Sequence, residues 1–208
     1  ICDLTLLRHH RKRSNSLATT KKREMAMSST PSLDGLTACV LADEGVEDLE
    51  YYVTLMRLRE EGVAVVTASL KGEDFRGKNG LWITPDSGIS GVTGKLFDVI
   101  VLPGGWAPDK LRRSTEVLDL IRFNYSAGNI LAAICHGPWL LASADLVRGK
   151  KATGSLGIRD DMQNAGATWV DEAAFTEGQI VWGRVVVDIP EFCSELVTCL
   201  RDFKAAKA

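Results

Sequence analysis

The sequence predicts an α/β fold in which a mostly parallel sheet is covered by helices on both faces. Two observations carry that prediction. From residue 37 onward, short β-rich runs alternate with amphipathic helical segments, the rhythm of parallel strands joined by helical crossovers. Residues 97–102, apolar but for Asp98, and residues 130–134, apolar throughout, read as strands buried on both faces of a parallel sheet.

Taken in order, residues 37–41 form the first strand. An acidic turn at 43–48 leads into a helix carrying Leu49, Val53, Met56 and Leu58 and running through Glu61, where Gly62 ends it. The second strand is 63–68. A Gly-rich excursion of small strands surrounds 81–84, and 97–102 is a central strand stopped by Pro103-Gly104-Gly105. The next helix spans 114–127, with Ser114 as N-cap and Gly128 as its stop. Strand 130–134 runs directly into Cys135, and the helix after it starts at His136 and continues toward Ala144. Strand 151–153, helix 158–165 closed by Gly166, strands 168–170 and 180–187, and a last helix over 190–204 complete the pattern.

Composition bounds what such a fold can do. The chain has 208 residues, 45% of them hydrophobic and 25% charged, enough for one sizeable domain. A formal net charge of −2 argues against a nucleic-acid or anionic-membrane partner, each of which needs a concentrated basic field. No apolar run reaches the roughly 18 residues of a membrane span. Five cysteines, at 2, 39, 135, 193 and 199, make no C-x-x-C pair and no metal-ligand spacing, so neither a metal nor another cofactor is expected, and a reducing, cytoplasmic setting is the simpler reading. Residues 1–34 differ: Arg8, Arg11, Lys12, Arg13, Lys21, Lys22 and Arg23 stand among Ser and Thr. They read as a disordered N-terminal extension ahead of a domain at 35–208. The alternatives are an organellar targeting peptide or a stretch upstream of a start at Met25 or Met27.

The chemistry points to Cys135. In Ala133-Ile134-Cys135-His136-Gly137 a strand ends in a nucleophile framed by small residues and turns straight into a helix, the pattern of a nucleophile elbow. A larger residue at 133 or 137 would collide with the turn. Amides at the start of the following helix favour a thiolate, whereas burial opposes it, and a buried inert cysteine is the plain alternative.

His9 and His10 lie in the extension, so His136 is the only imidazole of the folded body. That disfavours a Cys/His/Asn protease arrangement or an amidotransferase triad, which need a histidine far from the cysteine in sequence. Parallel topology puts the loops after successive strands on one sheet edge. Glu47 and Asp109 are therefore the candidate carboxylates, and Gly104 and Gly105 can offer backbone N–H groups to an oxyanion. The plain readings are a helix-start acid for Glu47 and a simple turn for the glycines.

These residues resemble the DJ-1/PfpI superfamily (ThiJ/PfpI, peptidase C56), its PfpI-like branch more than DJ-1 itself, over roughly 37–203. The matching segments are Ala42 through Glu50, Val101-Leu102-Pro103-Gly104-Gly105-Trp106-Ala107-Pro108-Asp109, the 132–138 elbow, Gly157-Ile158-Arg159-Asp160-Asp161, and Asn164 through Asp171. The resemblance implies a flavodoxin-like three-layer sandwich. It implies Cys135 as nucleophile, Glu47 as the carboxyl bonded to its sulfur, Gly104 and Gly105 as backbone donors and His136 as the adjacent histidine. It also implies Asp109, reaching the histidine of a neighbouring subunit in a dimer or hexamer-like homo-oligomer. The sequence departs from the family at Arg184-Val185-Val186-Val187-Asp188, where a Pro-containing turn is usual and 185–187 read instead as extending the strand.

The implied activities are cofactor-free conversion of methylglyoxal or glyoxal to hydroxy acids (glyoxalase type), deglycation of early adducts on protein or peptide, intracellular cysteine peptidase activity, and stress protection without turnover as a redox sensor or chaperone. A set of Cys, Glu and one adjacent His favours the aldehyde chemistry over peptide hydrolysis, which needs an oxyanion hole and a well-placed acid for the leaving amine.

Overall fold

A computed structural model describes residues 32–207. A seven-stranded sheet forms the middle layer. Its strands are β1 (Thr37–Leu41), β2 (Ala64–Ser69), β5 (Ser87–Gly88), β6 (Val99–Leu102), β7 (Ile130–Ile134), β10 (Ala174–Glu177) and β11 (Ile180–Gly183), in the order β10-β11-β7-β6-β1-β2-β5. Every neighbouring pair is parallel except β10 with β11. Two small two-stranded sheets lie outside it: β3 (Phe75–Arg76) with β4 (Trp82–Ile83), and β8 (Lys151–Ala152) with β9 (Thr168–Trp169).

The helices are α1 (Asp48–Glu60), α2 (Ala107–Leu111), α3 (Thr115–Ser126), α4 (Pro138–Ser143), α5 (Arg159–Asn164) and α6 (Ile189–Lys207). α1 packs against α6, whereas α2, α3 and α5 pack against α4. The expected α/β class with a mostly parallel sheet is what the chain forms. β1, β6 and β7 are almost wholly buried, because strands covered on both faces have no polar side to expose.

Local signals account for most boundaries. Ser114 caps α3, its Oγ accepting from Val117 N–H at 3.4 Å, and Gly62 leaves α1 at φ +89°, a left-handed position that glycine fills without strain. The strand order turns around between β1 and β6: β2 follows on one side of β1, β6 and β7 on the other. Open α/β sheets bind ligands at such a point, outside the carboxyl ends of the strands. The loops after β1, β6 and β7 meet there.

Three expectations change. Residues 185–187 do not extend the strand. β11 ends at Gly183 and Val186–Asp188 is a 3-10 turn. Arg184 holds that turn, with Nε and Nη2 on the Asp188 carboxylate at 2.9 and 3.0 Å and Nη1 on Asp171 at 2.7 Å, and a charge clamped at both ends stops the strand. β10 was not expected; it pairs with β11 through a hairpin at Gly178, where φ is +61°. The 1–31 part of the expected extension lies outside the described residues, but Leu33 is fully buried and its N–H donates to Glu61 O at 3.0 Å. The folded domain therefore begins before residue 35.

Candidate active site

Cys135 has φ 63°; with Asp145 it is one of two non-glycine residues at positive φ among the described residues. An L-residue rarely holds this conformation unless its surroundings impose it. Here the backbone is pinned on both sides: Cys135 N–H donates to Gly183 O at 3.1 Å, Ser155 N–H to Cys135 O at 2.8 Å, and Gly137 N–H to Ile134 O at 2.8 Å. A Cβ on Gly137 would run into Leu102 O, which is the physical reason for a glycine after this turn. The elbow inferred from the small-residue frame is present.

The sulfur meets His136 directly, Sγ to Nδ1 at 3.2 Å, although the two side chains leave adjacent residues. The His136 ring packs edge-on against Trp139 at 5.2 Å between centroids. Burial holds the imidazole pKa below its ordinary value, and the charge of Lys78 adds to this, so the ring is neutral at neutral pH and can accept a proton.

The carboxyl group beside the sulfur is Glu50, not Glu47. Glu50 is fully buried, and its Oε2 accepts from Gly104 N–H at 2.6 Å. A methyl group on Gly104 would lie 2.7 Å from Cys135 Cβ and 2.8 Å from Glu50 Oε2, so the two side chains close on one point. Burial raises the Glu50 carboxyl from 4.5 to about 7, against the Gly104 N–H and the Cys135 thiol, which lower it. Burial likewise pushes the thiol up to about 12, and the Glu50 carboxylate adds to the rise, while the N–H groups of Gly105 and His136 pull it down. Glu50 Oε1 is buried and makes no hydrogen bond in this geometry. A proton on that oxygen would remove the cost of burying it bare.

Glu47 turns the other way. Its Oε1 accepts from Asn79 Nδ2 at 2.9 Å and its Oε2 from Lys78 Nζ at 3.2 Å, so it secures the loop between β3 and β4. Asp48 does the same through Asn79 N–H at 2.7 Å and Leu81 N–H at 2.9 Å. Hydrophobicity does not point to Glu50, because Leu49, Val53 and Met56, which mark α1 in the sequence, are 51%, 40% and 60% exposed. The inward positions are Glu50, Tyr51, Thr54, Leu55 and Leu58. The i, i+4, i+7 spacing of Tyr51, Leu55 and Leu58, with Glu50 one residue before it, was the signal available in the sequence.

The glycines divide the expected donor role. Gly104 N–H is committed to Glu50. Gly105, at φ +78°, directs its N–H at the Cys135 sulfur together with that of His136. Asp109 lies on α2, exposed and paired with Arg113 Nη2 at 2.9 Å in the same chain. It lines the same cleft as Cys135 without a hydrogen bond to His136 within the protomer.

That cleft has a volume of about 370 Å³, and Trp106, Trp139 and Lys78 complete its walls. The size suits a small ligand. The other described cysteines are remote from it: Cys39 and Cys193 are buried and Cys199 is half-buried, all as free thiols. Among the described residues, no group of three or more His, Cys, Asp or Glu is placed to hold a metal ion, and no helix is long and apolar enough to cross a membrane.

Known proteins resemble this chain in sequence and in fold. The profile of the DJ-1/PfpI family matches residues 36–199. The chain is 37% identical over 155 residues to the deglycase PfpI of Pyrococcus furiosus, covering 74% of this chain and 93% of that protein. It is 37% identical over 164 residues to protein/nucleic acid deglycase 2 of Escherichia coli, covering 77% and 95%. Among solved structures, Drosophila melanogaster DJ-1beta superposes with a TM-score of 0.75 at 27% identity, over 82% of this chain and 96% of that one. A two-domain protein of Anabaena variabilis with DJ-1/ThiJ/PfpI-like and ferritin-like domains gives a TM-score of 0.75 at 35% identity over 79% of this chain, which spans about half (48%) of that longer protein. A family profile that matches residues 36–199 and relatives 37% identical over about three quarters of this chain settle the family: the chain belongs to the DJ-1/PfpI family.

Proposed function

We propose that the protein is a cysteine-dependent enzyme of reactive carbonyls, converting methylglyoxal or glyoxal to hydroxy acids or removing their early adducts from thiols and amines. One observation carries the reading: a thiol held at φ 63° between a neutral imidazole at 3.2 Å and a buried carboxyl whose pKa stands near 7.

The groups fit the steps. The Cys135 sulfur, its proton passed to His136 Nδ1, attacks the aldehyde carbon of methylglyoxal. An S–C bond forms, the carbonyl π pair moves to oxygen, and the imidazolium returns the proton there, giving a hemithioacetal. The Glu50 carboxylate takes the proton from that carbon, the C–H electron pair moving into a C=C bond and the neighbouring carbonyl π pair onto its oxygen. The carboxyl returns the proton to the neighbouring carbon and the hydroxyl proton passes from the first oxygen to the second, producing a lactoyl thioester. Water then adds at the thioester carbon, lactate leaves and the thiol regains its proton. The conversion is redox-neutral overall: one water enters and one lactate leaves. A group that both accepts and returns a proton works best with a pKa near the working pH, the value burial gives Glu50.

Peptide hydrolysis fits these groups less well, because Gly104 N–H is already used by Glu50 and one histidine beside the nucleophile must also protonate the leaving amine. Names of relatives agree with the carbonyl reading, several being deglycases. We also propose self-association, in which Asp109 of a second copy serves His136, because Asp109 of the same chain is paired with Arg113 and makes no hydrogen bond to His136. Incubating the purified protein with methylglyoxal and measuring lactate tests the reading. Product is expected from wild type and not from Cys135→Ala; equal product from both would overturn it.

A further inference from the structure

Around the mouth of the Cys135 cleft stand three cations, Lys78, Lys110 and Arg113, against one lining acid, Asp109. His136 adds no charge at neutral pH, its pKa being lowered by burial. The lining groups alone sum to +2, three positive charges and one negative, and the acids that pair with Lys78 and Lys110 bring the local sum to zero, so it is the spare N–H donors of these cations that are offered to a ligand.

Two of the cations are anchored by acids outside the lining: Lys110 Nζ by Glu44 at 3.1 Å and Lys78 Nζ by Glu47 at 3.2 Å. Each of those bonds uses one ammonium proton of three. Arg113 spends Nε and Nη2 on Asp109, and its Nη1 is left for a ligand. Such pairs fix where the cations sit without using up their donors. Trp106 forms an apolar wall of the cleft; its backbone N–H donates to Gly45 O at 2.7 Å, and its ring lies 3.2 Å from where a Gly45 Cβ would be.

We propose that this cleft selects small carbonyl substrates that carry an anionic group, a carboxylate or phosphate, held by Lys78, Lys110 and Arg113 while the carbonyl meets Cys135. The inference rests on Cys135 being the nucleophile of this cleft, and it adds the substrate's charge to that reading.

Two alkylating reagents of nearly equal size, one anionic and one neutral, test it. With iodoacetate or iodoacetamide the Cys135 sulfur attacks the methylene carbon, the S–C bond forms as the C–I bond breaks, iodide leaves with the electron pair and the thiol proton passes to solvent. Second-order rates at the Cys135 peptide, followed by mass spectrometry, give an iodoacetate/iodoacetamide ratio. For the full chain this ratio is expected to exceed that of glutathione by about fivefold or more, the effect of roughly 1 kcal/mol of attraction. About 0.5 M NaCl, or Lys110→Gln with Arg113→Gln, should bring it to within about twofold of glutathione, since exposed charges are screened. Both side chains are exposed, and circular dichroism checks that the variants fold. A wild-type ratio equal to that of glutathione, or one indifferent to salt and to both substitutions, overturns the inference alone. Failure of both reagents to label Cys135 overturns the nucleophile reading and this inference with it. The methylglyoxal adduct of N-acetylcysteine should likewise be turned over with a kcat/KM about fivefold above that of N-acetylcysteine amide; equal values count against the selection.

Discussion

Glu50 and Cys135 lie on either side of Gly104, so near that one methyl group on its α-carbon would touch both. The carboxyl is held from behind by Gly104 N–H at 2.6 Å, and its other oxygen has no hydrogen-bond partner. Two groups that each bind a proton more tightly than usual, in contact at the inner end of the cleft, share protons as a pair. This relationship separates the nucleophile from an ordinary buried cysteine and makes Glu50 the residue to test.

Stability should register the Glu50 proton. The carboxyl titrates at 4.5 when unperturbed and at about 7 in the fold, because burial disfavours its charged form. Between those values the folded state binds more protons than the unfolded one, so stability is fully present below about pH 4.5 and falls as pH rises through about 7. The loss is on the order of 3 kcal/mol. Urea denaturation at pH 5 and pH 8.5 should show wild type losing this much on the alkaline side, and Glu50→Gln, which cannot ionise, losing less. Parallel curves for the two proteins would remove the proton from Glu50.

Activity separates Glu50 from Glu47. Glu50→Gln retains an amide that can donate to the sulfur but cannot carry a proton between carbons, so kcat with methylglyoxal should fall by about 10²-fold or more. Iodoacetamide should still label Cys135 within about tenfold of the wild-type rate. Glu47→Gln keeps its bond to the loop between β3 and β4 and should leave kcat within about threefold. If the Glu47 variant is the inactive one, the assignment from the geometry is wrong.

The sequence shows the frame of this site more clearly than its contents. The elbow was legible because small residues around Cys135 answer to a steric demand of the backbone, and Gly104-Gly105 after an apolar strand answers to another. Glu50 was not legible because hydrophobicity does not mark the inner face of α1, a helix that buries a carboxyl while exposing Leu49, Val53 and Met56. A functional site breaks the apolar-inside rule by design. β10 was missed because Phe175 and Thr176 form a half-buried edge strand with a weak apolar signal. Residues 185–187 misled in the opposite sense: three valines favour a strand, but the Arg184–Asp188 ion pair closes a turn across them.

Gly104 should tolerate no side chain. Its N–H must reach Glu50, and an added Cβ would lie 2.7 Å from Cys135 Cβ and 2.7 Å from His136 N, closer than folded proteins allow. Gly104→Ala should lower stability by about 1–3 kcal/mol and, by moving Glu50 and the thiol apart, reduce kcat/KM by about 10²-fold. Thermal unfolding and methylglyoxal turnover measure the two effects. A fully active, equally stable Ala variant would mean that the loop after β6 relaxes freely and does not set the geometry.

Asp109 makes the last prediction, because its place in one chain does not suit its proposed role. Exposed on α2, it is paired with Arg113 at 2.9 Å, lines the cleft and makes no hydrogen bond to His136 within the protomer. An acid supplied by a second copy predicts complementation. Cys135→Ser lacks the nucleophile but keeps Asp109, and Asp109→Asn lacks the acid but keeps the nucleophile, so each alone should be inactive or nearly so. When the two are unfolded together and reassembled in equal amounts, a site is complete only if its cysteine comes from one variant and its acid from the other. Random mixing then restores about a quarter of wild-type activity, whatever the number of subunits. Recovery at that level places Asp109 across an interface; no recovery from two inactive parents confines it to its own chain, and an active Asp109→Asn parent removes it from the mechanism.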